Sequence, residues 1–375
     1  MLAALREGES ALKPCRFETA AIPTYAGEIG GLDAYALTGE WAPFDCRNNR
    51  IALMALQQDG FIEAVREARA RYGAARIALL LGTSTSGIHQ TELAYRGRDP
   101  KTGALPSDFD YARHHNTFGL GRFLAPFLGL TGPATVQSAA CATTAKAFAS
   151  ASRMIAAGLC DAAIVGGADS LCLTTLYGFR SLGLTSEQPC RPYDAARDGI
   201  SIGEGAGFAL LEREDRYQGP SALRLIGVGE SGDAYHQSSP HPEGAGARLA
   251  MERALGSAGL PPDAIDYINL HGTATRIGDA AEDRAITGLF GSATPCSSTK
   301  GQTGHTLGAA GIVEAIIAAL ALEHGLVPGS PMTDTVDPEL KCRYTRRSEA
   351  RALTRVMSNS FGFGGSNCSL ILGRV

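Results

Sequence analysis

The segment 141–158 (CATTAKAFASASRMIAAG) consists almost wholly of alanine, other small residues and apolar ones. A helix of that composition has no broad polar face to give to water, so it must lie inside the protein with neighbours all round. The stretch 311–322 (GIVEAIIAALAL) is the most apolar helical run, interrupted by Glu314 alone, and is too short to cross a bilayer. A chain with such helices must wrap them in layers.

The rest of the pattern supplies the layers. Short apolar β-type runs alternate with longer Ala-rich helical ones, which predicts an α/β architecture. Residues 75–81 (ARIALLL), closed by Gly82, and 162–165 (AAIV), closed by Gly166 and Gly167, read as buried strands. Residues 223–228 and 265–270 read as strands around a helix over 246–259. A helix over 306–324 is stopped by Gly325, and the last strands flank a glycine-rich turn at 358–367. Each half thus holds strand, loop, buried helix and strand, the outline of a duplication. The halves divide at 220/221, as 1–220 and 221–375, with no low-complexity linker between them.

Composition excludes several classes. An apolar fraction of 44% over 375 residues rules out a disordered chain, and a net charge of −4 with 7% aromatics argues against nucleic-acid binding. The nine cysteines never occur as C-x-x-C, so neither a disulfide framework nor a structural zinc site is expected. Charges come too early after Met1 for a secretory leader. The expectation is a soluble cytoplasmic protein without a membrane span.

Several residues could carry chemistry. Cys141 stands at the start of the small-residue helix, where unpaired N–H groups and the helix dipole favour a thiolate and a lowered pKa. A cysteine among alanines is, taken alone, more often an inert core thiol. His271 follows a strand, the place where α/β sheets line their sites. His305 ends the run S-T-K-G-Q-T-G-H, whose order does not fit a phosphate loop. Metal ligation by the two histidines has no carboxylate or thiol at ligand spacing to support it. The turn F-G-F-G-G-S-N at 361–367 lets backbone approach a ligand closely, or is a plain hairpin. His89, His114, His115, His236, His241 and His324 read as structural or surface residues. Lys341, Arg343, Arg346, Arg347 and Arg351 form a basic cluster, a solvated face or a docking patch.

Taken in order, the motifs resemble those of the elongating β-ketoacyl-acyl-carrier-protein synthases of the thiolase superfamily. They are A-A-C-A-T-T at Cys141, R-P-Y-D-A-A-R-D-G with G-E-G-A-G, D-A-Y-H-Q-S-S-P at Asp233, H-G-T-A-T-R-I-G-D-A-A-E at His271, S-T-K-G-Q-T-G-H-T-L-G-A-A-G around Lys300, and S-F-G-F-G-G-S-N. The resemblance spans nearly the whole chain. It implies a five-layer α-β-α-β-α body of two similar half-domains with the site at their junction. Cys141 would take an acyl group from a carrier thioester, with the N–H groups of Cys141 and Phe363 as oxyanion hole. His271 and His305 would hold the malonyl thioester oxygen during decarboxylation, and Lys300 with Glu314 would support the polar network. Thr273, Thr275 and Ser238 would hold the pantetheine arm, and Phe363 would gate the acyl pocket. No cofactor is implied, because phosphopantetheine arrives on the acyl carrier protein.

The resemblance also discriminates. Initiating synthases use one Cys, one His and one Asn, whereas this chain has two histidines and Lys300. Thiolases need a second Cys in a C-x-G-G-like turn, which Cys368 does not fit. Chain-length-factor subunits lack the nucleophile; such a non-catalytic subunit is the alternative reading. Residues 170–184 and 83–92 are similar, more weakly, to ketosynthases of bacterial aryl-polyene clusters, so fatty-acid and polyene elongation both stand. Family members are dimers, leaving a homodimer or a heterodimer with a second ketosynthase-like chain. They also begin with a strand before the helix that here matches residues 2–7; the expectation is that a central strand is missing, from a misassigned or truncated start.

Overall fold

Strand Ile77–Gly82 shows why the chain layers as it does. Ile77, Leu79 and Leu81 pack into one apolar cluster and Ala78 and Leu80 into another, because successive side chains leave a strand on opposite faces. Both faces are therefore dry, and both need helices.

The computed structural model describes residues 1–217 and 223–374, so the expected boundary at 220/221 lies outside the described residues. The N-terminal half contains α1 (Arg47–Leu56), α2 (Phe61–Tyr72), β1 (Ile77–Gly82), α3 (Gly119–Phe127), β2 (Ala134–Gln137), α4 (Thr143–Ala156), β3 (Ala162–Asp169) and β4 (Gly205–Glu212). The C-terminal half contains β5 (Leu223–Gly232), α5 (Ala245–Ala258), β6 (Tyr267–Asn269), α6 (Arg276–Phe290) and β7 (Pro295–Ser297). It continues with α7 (Ala310–His324), β8 (Arg343–Tyr344), β9 (Arg355–Gly362) and β10 (Ser366–Arg374).

Five layers result. Helices α1, α2 and α3 cover the outer face of the sheet β2-β1-β3-β4 through Ala52, Val65, Leu120 and Phe123. Helices α5 and α6 cover the outer face of the sheet β8-β7-β6-β9-β10-β5 through Met251, Ala254 and Ile286. Between the sheets lie α4 and α7, whose Ala145, Phe148, Ile312 and Ala315 share one cluster with Leu80, Val165 and Leu370. A Cβ on Gly311 would come within 2.5 Å of the Ala145 nitrogen, so glycine lets the two central helices touch. The wider stretch Leu307–His324 is long and apolar enough to cross a membrane, which the shorter 311–322 window concealed; 72% of it is buried inside this protein. It is a core helix.

The duplication is plain in the sheets. β1 pairs parallel with β2 and β3, and β3 antiparallel with β4. In the same way β6 pairs parallel with β7 and β9, and β9 antiparallel with β10. The C-terminal sheet has β5 outside β10, and among the described residues no strand occupies the matching place outside β4. This corrects the expectation of a missing central strand: the place without a counterpart is at a sheet edge. The helix Leu2–Glu7 is anchored through Leu5 against Val313, Ile317 and Leu326.

Candidate active site

Cys141 and His305 occupy equivalent places in the two halves. Each lies in the loop after a parallel strand, β2 or β7, and just before a central helix, α4 or α7. Each is preceded by a left-handed residue, Ala140 with φ 49° and Gly304 with φ 73°. Alanine in that region is strained by about 1–2 kcal/mol. The Thr143 hydroxyl holds the turn, donating to the Ala140 carbonyl at 2.6 Å and accepting from the Ala139 N–H at 2.7 Å. His305 is stitched by its backbone to the 201–203 segment: its N–H donates to the Ser201 carbonyl at 2.7 Å, and its carbonyl accepts from Gly203 at 3.0 Å. The segment leading into the G-E-G-A-G motif therefore anchors His305.

The side chains converge. Nε2 of His305 is 3.1 Å from the Cys141 sulfur, and the His271 and His305 rings meet edge to face with centroids 5.4 Å apart. The backbone N–H of Phe363 lies near enough to the Cys141 thiol to oppose the rise in its pKa. A Cβ on Gly362 would sit 3.1 Å from the Cys141 nitrogen, so this turn packs closely over the cysteine. Cys141, His271, His305, Thr273, Thr275, Ser238 and Phe363 all line one cavity of about 440 Å³. Lys300 and Glu314 stand behind it, both buried. Lys300 Nζ donates to the His271 carbonyl at 2.5 Å and pairs with the Glu314 carboxylate.

Electrostatics correct one expectation. Burial pushes the Cys141 thiol up to about 11, against smaller lowering effects of the Lys300 charge and the Phe363 N–H. The thiol is therefore neutral in the resting protein, because desolvation of the buried sulfur outweighs the helix start. Burial, then the Lys300 charge, hold His271 and His305 well below the usual histidine value, so both rings are neutral at pH 7. A neutral imidazole still offers one N–H donor. Burial pushes Glu314 up to about 7, with Lys300 opposing.

Sequence reading missed four supporting residues. Glu282 accepts the N–H groups of His271 and Gly272 at 2.8 and 2.7 Å, and Asp279 accepts those of Thr273 and Ala274 at 3.0 and 3.1 Å. Their three-residue spacing on α6 was the signal: it puts both carboxylates on one helix face, under the His271 turn. Asp169 ends β3 and ties both halves together beneath the site. Phe179 lines the cavity with its ring 5.7 Å from that of Phe363. The six other histidines do not line this cavity, and neither does the basic cluster at 341–351. There Lys341 donates to the Pro338 carbonyl and Arg343 faces Glu349, while the cation at the cavity mouth is the exposed Arg276.

Residues 5–216 match the family model for the β-ketoacyl synthase N-terminal domain, and residues 223–333 match that for the C-terminal domain. The chain belongs to the β-ketoacyl synthase family. The 3-oxoacyl-[acyl-carrier-protein] synthase 2 of Vibrio cholerae is 37% identical over 322 residues, covering 80% of this chain and 77% of that protein. The mitochondrial 3-oxoacyl-[acyl-carrier-protein] synthase of Arabidopsis thaliana is 42% identical over 265 residues, which are 66% of this chain and 58% of that protein's length. Among solved structures, the complex of the ketosynthase ApeO with its chain length factor ApeC from Xenorhabdus doucetiae superposes with a TM-score of 0.88. It is 39% identical and covers 100% of this chain and 93% of the other. The ishigamide ketosynthase/chain length factor gives a TM-score of 0.90 at 27% identity, with 100% and 94% covered. The five-layer body is the thiolase-like fold of these synthases.

Proposed function

We propose that the chain is a catalytic β-ketoacyl-acyl-carrier-protein synthase that lengthens an acyl chain by two carbons. The observation that carries this reading is the buried contact between the Cys141 sulfur and His305 Nε2, with His271 beside them and Phe363 lining the same cavity. In the first half-reaction the Cys141 sulfur attacks the acyl thioester carbonyl. The carbonyl oxygen gathers charge beside the Phe363 and Cys141 N–H groups, where each donor is worth roughly 10²–10³ in rate. The thiol proton leaves with the departing pantetheine sulfur, giving acyl-Cys141 and free carrier.

Malonyl carrier then enters, with its pantetheine arm along Thr273, Thr275 and Ser238. Its thioester oxygen accepts N–H bonds from His271 and His305. The bond to the carboxylate breaks, carbon dioxide leaves, and the electron pair forms an enolate stabilised by those donors. The carbanion attacks the acyl carbonyl, the bond to Cys141 breaks, and 3-oxoacyl carrier departs. Two carriers using one site in turn give ping-pong kinetics. Lys300 and Glu314 position His271 through its carbonyl. No bound cofactor is required, and the reaction belongs in the cytoplasm.

The carrier protein is acidic, and Arg276 at the cavity mouth is the cation best placed to meet it. We further propose pairing with a chain-length-factor-like partner, supported by the likeness to complexes of that kind. The outer edge of β2, without a strand partner among the described residues, offers the pairing surface. The test is intact mass after incubation with acyl carrier protein, beside Cys141→Ala. An acyl-sized gain in the native chain alone supports the reading. No gain with the partner subunit present overturns it in favour of a non-catalytic subunit.

A further inference from the structure

The reacting groups have a second chemistry. The Cys141 sulfur and one ring nitrogen each from His271 and His305 all lie within 4.8 Å of one another, and all three residues are buried. A tetrahedral zinc ion holds sulfur at about 2.3 Å and imidazole nitrogen at about 2.0–2.1 Å, which puts neighbouring donors roughly 3.3–3.7 Å apart. The Cys141–His305 pair is already at 3.1 Å, so the trio needs only small side-chain adjustments. The fourth side faces the cavity, where a water could complete the tetrahedron. The nearest cation, Lys300, is paired with Glu314, which offsets its repulsion of an incoming ion. His271 Nδ1 and His305 Nδ1 have no hydrogen-bond partner among the described residues, so no such bond holds either ring against a small rotation. The ligands come from three separate loops, which is why spacing in the sequence gave no sign of them.

We infer that Cys141, His271 and His305 form an inhibitory site for Zn²⁺, competing with acyl transfer; the inhibition rests on the proposed ketosynthase reading, the site itself does not. On binding, the S–H bond of Cys141 breaks and an S–Zn bond forms, with the proton released to buffer. Two ring nitrogens replace two of the ion's waters, and nothing is oxidised or reduced. The captured sulfur can no longer attack a thioester. Softness sets the selectivity: one sulfur and two nitrogens suit Zn²⁺, whereas Mg²⁺ seeks oxygen ligands absent from the trio.

The test uses the purified full chain with Zn²⁺, and Co²⁺ as a coloured probe. Zn²⁺ should bind with one equivalent lost in both Cys141→Ala and His305→Ala, each checked for native circular dichroism. Saturating Zn²⁺ should slow alkylation of Cys141 at least tenfold, reversibly with a chelator, while equal Mg²⁺ leaves it unchanged. Co²⁺ should give a sulfur-to-metal charge-transfer band absent from Cys141→Ala. Unchanged Zn²⁺ binding in Cys141→Ala, or alkylation at full speed under saturating Zn²⁺, overturns the inference. Should His305→Ala prove misfolded, protection and the Co²⁺ band in the native chain still decide it. These readouts need no carrier protein. Binding at the trio without acylation by carriers would therefore leave the site standing and remove only the ketosynthase reading.

Discussion

Asp169 and Gly308 belong to opposite halves of the chain, and one carboxylate oxygen of Asp169 accepts the Gly308 N–H at 2.5 Å. The same oxygen takes the Ala309 N–H at 3.2 Å, while the other takes Thr83 Oγ1, Thr85 Oγ1 and the N–H groups of Ser84 and Thr85. Gly308 and Ala309 follow directly on the His305 loop. Asp169 is thus a clamp between the end of β3 and the turn that aims His305.

Removing that clamp should cost both stability and aim. Asp169→Ala leaves buried N–H donors unpaired, at about 1–3 kcal/mol each where no water replaces the carboxylate. The expected result is a melting temperature lower by several degrees and a condensation rate reduced more than the rate of Cys141 acylation. Equal losses in the two half-reactions would assign Asp169 to stability alone. Single-turnover acylation beside steady-state turnover distinguishes these outcomes.

Lys300 and Glu314 should behave as a coupled buried pair. Lys300→Met strands a buried carboxyl and should cost roughly 3–5 kcal/mol, whereas Lys300→Met with Glu314→Leu should recover most of that. The sign with pH follows from Glu314, whose folded pKa of about 7 lies above its ordinary 4.5. A group raised in this way stabilises the fold at low pH and loses that contribution as pH rises through its folded value. Without Lys300 its pKa climbs further; the unfolded value of 4.5 is common to both proteins, so the Lys300→Met deficit should stay level up to about pH 7 and grow as pH rises above it. Urea melts at three pH values check both claims, and both variants should lose condensation activity.

Alkylation of Cys141 should report a shielded thiol. With a pKa of about 11, its thiolate fraction at pH 7 is about 10⁻⁴. Iodoacetamide labelling, followed by peptide mass, should therefore rise about tenfold per pH unit from pH 7 to 10 with no plateau. A plateau near pH 8 would show that the sulfur is activated before substrate arrives.

Ala140→Gly tests the strained turn. Glycine removes the left-handed penalty at φ 49°, so the fold should gain up to about 1 kcal/mol. The loosened turn should acylate more slowly, because it holds the sulfur less firmly against the Phe363 N–H. A variant both more stable and equally fast would free this turn from any part in positioning.

The sequence disclosed the layers because composition alone forces them: a helix like α4 has nowhere to go but between sheets. Cys141, His271, Lys300 and His305 were legible through motif order, which carries identity but not distance. The contact of Cys141 with His305 spans 164 residues and comes from superposing two halves, which no local pattern encodes. The direction of the Cys141 pKa was misread for a related reason. A helix start is visible in sequence, whereas burial of a sulfur depends on segments such as the Phe363 turn packing in from far along the chain. Asp169 was invisible because a carboxylate after two glycines looks like any strand end until the donors of two distant loops surround it.

The placement of α4 and α7 constrains how the protein can come into being. Each covers apolar surface on both sheets, so neither sheet can finish its core while the other is absent. The two family-model segments are therefore not separate folding units, and a fragment holding either alone would present a bare helix flank as an aggregation surface. Folding must wait for contacts spanning more than half the chain, which slows it, and leaves the nascent N-terminal half with exposed apolar surface until the last strands leave the ribosome.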